Sequence, residues 1–402
     1  MSWFEAPASA PFGVSELPYG IFSIDRDPPR VGAALGDQVI DLAAMWRAAG
    51  RDAEVFERPS LNPFLAQGKR VWAATRRSLR SVLDHPSGRG LIEPHLRPMS
   101  RVRLHRPIEV ADFVDFYASE HHATNLGRMF RPDGDPLTPN WKHMPIGYHG
   151  RAGTVMVSGT DVVRPLGQLK TPGDPVPTFG PTRKLDLEAE LGWVVGVESM
   201  PGVPVPVEDF RDHVFGVVVL NDWSARDLQA WEYVPLGPFL GKSFGTRISA
   251  WVLPLEALDN AQVRLPVQDP ELLPYLTSGA SCGYDIEIQV EINGHLVSTC
   301  PYAAMYFSPA QMMAHMTVNG AHLRTGDIYG SGTVSGPLAD QCGSLIELSW
   351  NGTHPLHLGA NATRTFLEDG DEVVLRAATP GPNPVRLGDV RGSVRPAPSP
   401  PG

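Results

Sequence analysis

Acidic and apolar residues alternate between Leu185 and Leu191. In a β-strand this alternation would place Asp186, Glu188 and Glu190 on one face, because successive side chains point to opposite sides. Carboxylate oxygens gathered in this way suit a hard cation such as Ca²⁺ or Mg²⁺. The solvated face of an antiparallel strand would show the same pattern, so this segment alone leaves both interpretations open.

A second polar group follows a continuous apolar run. Residues 214–220 contain only apolar side chains and one glycine, which predicts a strand buried on both faces. Asp222 and Arg226 come soon after it, at a position where loops often carry functional side chains. The alternative is that Asp222 caps a helix and that Arg226 forms a surface ion pair.

Two adjacent histidines, His121 and His122, follow Asp115 within seven residues. Adjacent side chains point apart and therefore do not suit a zinc site, whereas one histidine could act as a general base. Ordinary structural histidines fit the same spacing. The loop from Gly147 to Arg151 offers Tyr, His and Arg to an anion, or forms a tight turn with incidental polar residues.

The N-terminal elements that accompany these residues are short. Apolar runs at 19–24, 31–35 and 39–40 predict strands, and three- and four-residue apolar steps over 61–83 predict a helix. Asn62 is the expected N-cap of this helix, and its arginines, among them Arg76, are expected on a solvated face. A basic stretch with several prolines at 97–107 indicates a linker, which places a domain boundary near residue 108.

Beyond this boundary the pattern predicts a strand-rich domain. Alternation over 285–292 ends at Asn293-Gly294, a hairpin turn, and residues 345–352 show the same arrangement. Another strand is expected at 372–376, and helices only after Asp222 and near 308–316. Residues 396–402 are predicted to form a disordered tail.

The composition excludes several functional classes. The chain has 402 residues, with 34 Lys+Arg against 44 Asp+Glu and a net charge of −10, which disfavours nucleic-acid binding. The densest apolar run has seven residues, whereas a membrane span needs about 20. The first twelve residues lack the pattern of a signal peptide, and three sparse cysteines predict free thiols. We therefore expect a cytoplasmic protein without nucleic-acid or membrane partners.

Together, and in this order, the motifs resemble those of the fumarylacetoacetase family over nearly the whole chain. The resemblance is carried by Asp115-Phe116-Tyr117, His122-Ala123-Thr124-Asn125, Met129-Phe130-Arg131, Gly147-Tyr148-His149-Gly150-Arg151, Glu188 with Glu190, and residues 221–226, 231–246, 331–333 and 343–350. It implies a mostly β fold in which an SH3-like barrel at 1–107 precedes a mixed β-sandwich roll at 108–395. It also implies a homodimer.

The resemblance further implies two cation sites. The main site, expected to hold Ca²⁺, would use four acidic residues: Asp115, Glu188, Glu190 and Asp222. A second position for Mg²⁺ would involve Asp222, Lys242 and Thr246. Because an ammonium group has no acceptor, Lys242 could serve there only through its backbone carbonyl.

A catalytic base and a substrate site are implied in the same way. His122 matches the catalytic histidine, and Glu347 matches the carboxylate that orients it. Arg226, Gln229 or Lys242 would donate hydrogen bonds to an oxyanion. The substrate-contacting positions implied by the resemblance are Tyr117, Arg131, Tyr148, Gln229, Tyr233 and Thr333.

The implied reaction is the metal-dependent hydrolysis of a carbon–carbon bond in the diketo acid fumarylacetoacetate, which ends tyrosine and phenylalanine breakdown. One alternative is another reaction of the same catalytic roll, such as acylpyruvate hydrolysis or oxaloacetate decarboxylation. The other is a non-catalytic, metal-stabilised scaffold. The long N-terminal domain and residues 231–246 favour the first reading, and the presence of both the base and the acidic residues disfavours a scaffold.

Overall fold

A computed structural model describes residues 3–4, 10–171, 173–277, 282–360 and 362–399. Residues 396–399 carry no regular secondary structure, and residues 400–402 of the predicted tail lie outside the described residues. Disorder of this tail therefore stays a prediction.

The N-terminal part combines short strands with helices. Its strands are β1 (Tyr19–Ser23), β2 (Arg30–Leu35), β3 (Gln38–Asp41), β4 (Leu96–Pro98) and β5 (Arg103–His105). Its helices are α1 (Leu42–Ala48), α2 (Asn62–Leu65), α3 (Lys69–Asp84) and α4 (Arg89–Ile92). The three predicted N-terminal strands are confirmed as β1, β2 and β3 to within one residue at each end.

The predicted helix over 61–83 is wrong in three details. Gly68, with φ +81°, separates α2 from α3, because a left-handed backbone cannot continue a helix. Asn62 lies inside α2, and its amide donates to the backbone oxygen of Glu109 at 2.9 Å instead of capping the helix. Arg76 is buried rather than solvated, since its guanidinium donates to the backbone oxygens of Ser15 and Glu16.

The C-terminal part contains the remaining elements. Its strands are β6 (Phe113–Phe116), β7 (Gly147–His149), β8 (Val155–Val157), β9 (Val162–Val163), β10 (Leu166–Leu169), β11 (Thr178–Pro181), β12 (Leu185–Asp186), β13 (Ala189–Val195), β14 (Val214–Asp222), β15 (Ser224–Ala225), β16 (Thr246–Ile248), β17 (Trp251–Pro254), β18 (Gln262–Val263), β19 (Gly283–Tyr284), β20 (Glu287–Ile292), β21 (His295–Pro301), β22 (Ile328–Gly330), β23 (Leu356–Leu358), β24 (Ala362–Arg364), β25 (Glu372–Ala378) and β26 (Val390–Arg395). Its helices are α5 (Glu120–Phe130), α6 (Phe210–His213), α7 (Arg226–Glu232), α8 (Pro309–Thr317) and α9 (Leu345–Leu348).

A thirteen-stranded mixed sheet runs through both parts in the order β4-β3-β2-β1-β17-β14-β13-β22-β6-β7, with β5 beside β1, β16 beside β14 and β8 beside β16. A five-stranded sheet in the order β21-β20-β25-β26-β9 accompanies it. These pairings confirm a mostly β fold. The SH3-like barrel and the domain limits at 107 and 395 stay predictions.

Aromatic side chains from both parts of the chain pack into one core behind β14. The ring of Phe215, at the start of β14, lies 5.2 Å from that of Trp72 on α3 and 5.7 Å from that of Tyr19 on β1. All nine residues of β14 are buried, as its apolar run predicts. The N-terminal part thus anchors the start of the strand that ends at Asp222.

Local patterns in the C-terminal part gave mixed results. The hairpin of β20 and β21 is confirmed, with Asn293 and Gly294 both at positive φ. The strand β25 and the helices α7 and α8 are also confirmed. The strand predicted at 345–350 is wrong, because this segment forms α9, whose first backbone N–H groups donate to the carboxylate of Asp186.

Candidate active site

Four buried carboxylates meet where neighbouring strands of the large sheet end. Asp115 lies on β6, Glu190 on β13, Asp222 at the end of β14, and Glu188 just before β13. Each offers an oxygen atom, and these atoms all lie within 4.8 Å of one another. Like charges this close repel one another strongly, because burial removes the screening of water, and a cation between them or protonation of a carboxyl relieves this repulsion.

The two least satisfied members of this cluster are Asp115 and Glu190. Asp115 Oδ1 and Glu190 Oε1 are buried and have no hydrogen-bond partner among the described residues. Burial raises the pKa of both carboxyls well above the usual range, and neighbouring carboxylates raise it further. Oxygen ligands of this kind fit a hard divalent cation, which would let the cluster stay ionised.

The side chain of Lys242 reaches the acidic cluster. Its ammonium donates to Glu188 and to Asp222 Oδ2, the latter at 2.9 Å. Thr246 Oγ1 donates to Asp222 Oδ1 at 2.9 Å, and the Tyr148 hydroxyl donates to Asp222 Oδ2 at 3.3 Å. Burial would raise the pKa of Glu188, but Lys242 and Arg226 lower it below its usual value.

His122 stands in the first turn of α5, facing Glu347 on α9. Ser119 caps α5 by accepting the His122 backbone N–H at 3.3 Å. Nδ1 of His122 lies 2.7 Å from Oε2 of Glu347. In a neutral imidazole, a proton held on Nδ1 by this carboxylate leaves Nε2 free to accept another. His121, its neighbour, does not share this contact.

Glu347 is itself held by hydrogen bonds from three side chains. Ser335 Oγ donates at 2.9 Å, Ser344 Oγ at 2.7 Å and Asn125 Nδ2 at 3.0 Å. Burial alone would raise the pKa of Glu347, but His122 and these hydrogen bonds lower it below the usual value. The carboxylate therefore stays ionised and fixed in front of His122.

Arg226, at the start of α7, bridges two carboxylates. Its Nε donates to Asp186 at 2.7 Å, and its Nη2 lies 2.7 Å from Glu188 Oε1. Its Nη1 donates to Gln229 Oε1 at 3.3 Å. Arg226 and Asp222 are both buried and Ala225 is the N-cap of α7, so a surface pair and a helix cap are excluded as their roles.

Of the three alternating acids, Asp186 lies outside the four-acid cluster. The strand is interrupted between β12 and β13, and Asp186 binds the start of α9 and Arg226, which also contacts Glu188. Its Oδ1 accepts the backbone N–H of Leu345 at 2.7 Å. The alternation of residue types continues through the interruption, so the sequence carried no signal of it.

A cavity of 560 Å³ joins these groups. Eleven of the predicted site residues line it, namely Asp115, Tyr117, His122, Arg131, Tyr148, Glu188, Arg226, Gln229, Tyr233, Lys242 and Thr333. The other four, Glu190, Asp222, Thr246 and Glu347, are buried and do not line it. The structure thus brings His122, the positively charged side chains of Arg226 and Lys242, and the two clustered acids Asp115 and Glu188 to one space of substrate size.

Other contributors to this site had weaker signals in the sequence. Asn125 lies one helical turn from His121 on α5, a helix that the sequence analysis did not predict. The only local signal for this helix was Ser119, a favoured N-cap residue. Ser335 and Ser344 come from separate segments and meet only at Glu347, so no local pattern could identify them.

The chain matches two family models that together cover most of its length. A model described as fumarylacetoacetate (FAA) hydrolase C-terminal matches residues 112–395, and one described as fumarylacetoacetase N-terminal matches residues 15–107. These matches define the chain as a hydrolase. The chain belongs to the fumarylacetoacetate hydrolase family.

Full-length relatives carry the same name. A fumarylacetoacetase of Homo sapiens is 42% identical, with 99% of each chain covered, and one of Arabidopsis thaliana is 42% identical with the same coverage. A solved fumarylacetoacetate hydrolase of Exiguobacterium antarcticum superposes with a TM-score of 0.56 at 16% identity, over 94% of this chain and 99% of that chain. At that identity the superposition supports the fold alone. None of the described helices is long and apolar enough to cross a membrane.

Proposed function

We propose that the protein hydrolyses fumarylacetoacetate to fumarate and acetoacetate in the 560 Å³ cavity. The observation that carries this proposal is that His122, oriented by Glu347, and the acidic cluster border the same space. The name of the 42% identical relatives, fumarylacetoacetase, supports the choice of substrate. The proposed place of the reaction is the end of tyrosine and phenylalanine breakdown.

We assign Asp115, Glu188, Glu190 and Asp222 to a divalent cation, with Ca²⁺ as the expected ion. The two unpartnered oxygens of Asp115 and Glu190 support this assignment. A second position for Mg²⁺ would use Asp222, the Lys242 backbone carbonyl and Thr246. When bound, such a cation supplies positive charge that stabilises an enolate leaving group.

His122 would act as the general base. Its Nε2 takes a proton from water, while Glu347 stabilises the imidazolium on the Nδ1 side. The water oxygen bonds to the ketone carbon of the fumaroyl group. The bond between this carbon and the neighbouring CH₂ then breaks with its electron pair on the CH₂ carbon, which takes the proton from His122 and becomes the methyl group of acetoacetate. The new carboxylic acid of fumarate releases its proton to solvent, so atoms and charge balance.

The remaining lining residues would position the substrate. Arg226, Gln229 and Lys242 are N–H donors within the cavity wall and are suited to an oxyanion. Arg131 is exposed at the cavity and would face a substrate carboxylate, although its Nη2 now donates to the Pro136 backbone oxygen at 2.6 Å. Tyr117, Tyr148, Tyr233 and Thr333 complete the proposed contacts.

The test follows loss of the ultraviolet absorbance of the diketone when the purified protein is mixed with fumarylacetoacetate, with and without chelator. Turnover that the chelator removes supports the proposal. No turnover of fumarylacetoacetate together with cleavage of an acylpyruvate would favour the second candidate, acylpyruvate hydrolysis. The homodimer and the cytoplasmic location stay predictions, which gel filtration and cell fractionation can test.

A further inference from the structure

Helix α5 separates the active-site cavity from a second cavity of 530 Å³. His122, Leu126 and Phe130 line the active-site cavity. His121, Thr124, Asn125 and Arg128, spaced at three and four residues, line the second, which we call the rear cavity. Because such spacing defines one face of a helix, α5 presents opposite faces to the two spaces.

Basic side chains around the rear cavity are unpaired. Arg128 and His121 on α5, and His354 beyond α9, have no side-chain hydrogen bond or ion pair with any described residue. Two acidic side chains line the same cavity, and both have partners: Glu120 is paired with Lys142 at 2.8 Å, and Glu347 is bound by His122 and three hydrogen-bond donors. The rear cavity thus presents one permanent cation and two imidazoles that no neighbour satisfies, a donor set suited to an oxyanion.

The rear cavity also reaches the carboxylate that orients the base. Glu347 and Asn125 both line it, and Asn125 Nδ2 donates to Glu347 Oε1 at 3.0 Å. Glu347 is in turn 2.7 Å from His122 Nδ1. An occupant of the rear cavity would therefore lie behind the hydrogen-bonded chain from Asn125 through Glu347 to His122.

We propose that the rear cavity is a binding site for a small oxyanion, a carboxylate or a phosphate, held by Arg128 with His121 and His354. The site depends only on the charges and geometry of the rear cavity, and it stands whether or not fumarylacetoacetate is the substrate. Its proximity to Glu347 gives a bound anion a means to alter turnover without entering the active-site cavity.

The chain offers a matched pair of variants for the test. Arg128 lines the rear cavity and Arg131, three residues later, lines the active-site cavity. Both are exposed, so R128Q and R131Q should fold alike. Isothermal calorimetry would measure inorganic phosphate and, separately, acetate binding to the wild type and to each variant, at constant ionic strength.

We expect saturable binding of at least one of the two anions, which identifies the preferred chemistry. R128Q should weaken it about tenfold or more, as for loss of a charge-assisted hydrogen bond, while R131Q keeps the wild-type affinity. R128Q should retain wild-type turnover in buffer free of both anions. Three outcomes would overturn the proposal: no saturable binding of either anion, equal affinity in the wild type and R128Q, or loss of binding in R131Q alone. A change of oligomeric size in R128Q would equally overturn it, because the rear cavity would then be a protein interface.

Discussion

Nδ1 of His122 lies 2.7 Å from Oε2 of Glu347, although 225 residues separate the two along the chain. Glu347 accepts three further hydrogen bonds, which fix it in front of the imidazole. A carboxylate held in this way favours the tautomer of His122 with its proton on Nδ1. Nε2 is then free for the proposed role as a base.

Replacing His122 by alanine should reduce kcat by about 10²–10⁴-fold, because no other group would take the proton from water. The adjacent His121 provides a matched control, since it lines the rear cavity on the other face of α5. H121A should keep kcat within about twofold of the wild type. Circular dichroism and steady-state turnover of fumarylacetoacetate check both variants. Equal losses in the two variants would contradict the assignment of the base.

The sequence identified the acidic residues of the cluster better than it predicted the strand neighbours that bring them together. Asp115, Glu188, Glu190 and Asp222 were singled out as acids near strands, and the structure gathers all four. Their convergence depends on the order β14-β13-β22-β6, in which β22 comes from more than a hundred residues further along the chain than β13. Local periodicity carries no information about such neighbours, so only the family resemblance joined these residues in advance.

Local patterns failed where a long-range polar contact decides the conformation. The alternation over 345–350 is typical of a strand, yet Asp186 accepts the N–H groups of Leu345 and Ile346 and thereby favours a helix start. Asp186 likewise lies outside the acidic cluster, where it binds Arg226 and the start of α9. In both cases the partner is distant in sequence, and its charge outweighs the secondary-structure preference of the local segment.

Asp186 should act as a positioning residue for Arg226 and α9. In D186N the amide would turn a donor toward either Arg226 Nε or the backbone N–H groups of α9, which leaves buried donors unsatisfied. The free energy of unfolding should fall by about 1–3 kcal/mol, and kcat by up to about 10²-fold through displaced groups.

Asp227 supplies the control for this experiment. It is the residue after Arg226, and its carboxylate accepts from Thr182 and from the Arg183 backbone instead of from the site. D227N should lose stability while keeping kcat near the wild-type value. Urea unfolding and steady-state kinetics separate the two effects. If D186N loses stability with kcat unchanged, Asp186 has only a structural role.

Removal of divalent cations should lower both activity and thermal stability. The acidic cluster would lose the charge that balances its carboxylates, so Tm should fall after chelation and recover when Ca²⁺ is added. E190Q removes the carboxylate whose Oε1 has no hydrogen-bond partner among the described residues. The Tm of this variant should respond less to Ca²⁺ than that of the wild type. Thermal scans of both proteins with EDTA, Ca²⁺ and Mg²⁺ measure this. A wild-type Tm unaffected by chelator and by both ions would exclude a cation at the cluster.

Asp371, which is not part of the acidic cluster, should give a pH-dependent contribution to stability. It accepts two hydrogen bonds from Arg364, at 2.8 and 2.9 Å, and one from Asn293 at 2.8 Å. Burial would raise the pKa of Asp371, but the hydrogen bonds from Arg364 and Asn293 hold it below the ordinary value of 3.8. A lowered folded-state pKa stabilises the protein above the unfolded-state pKa, and this stabilisation is lost as pH falls through the folded-state pKa.

D371N should therefore unfold about 1.5–3 kcal/mol more easily than the wild type at pH 7, as expected for hydrogen bonds to a charged group. The difference should be the same at pH 5.5 and should shrink as the pH falls below 3.8, because the carboxyl is protonated first in the unfolded state and, at lower pH, in the folded state. Urea unfolding at each pH measures it. D133N, at an exposed aspartate, should show little difference at any pH. A difference for D371N that persists or grows under acid conditions would show that Asp371 stabilises the fold by its shape and not by its charge.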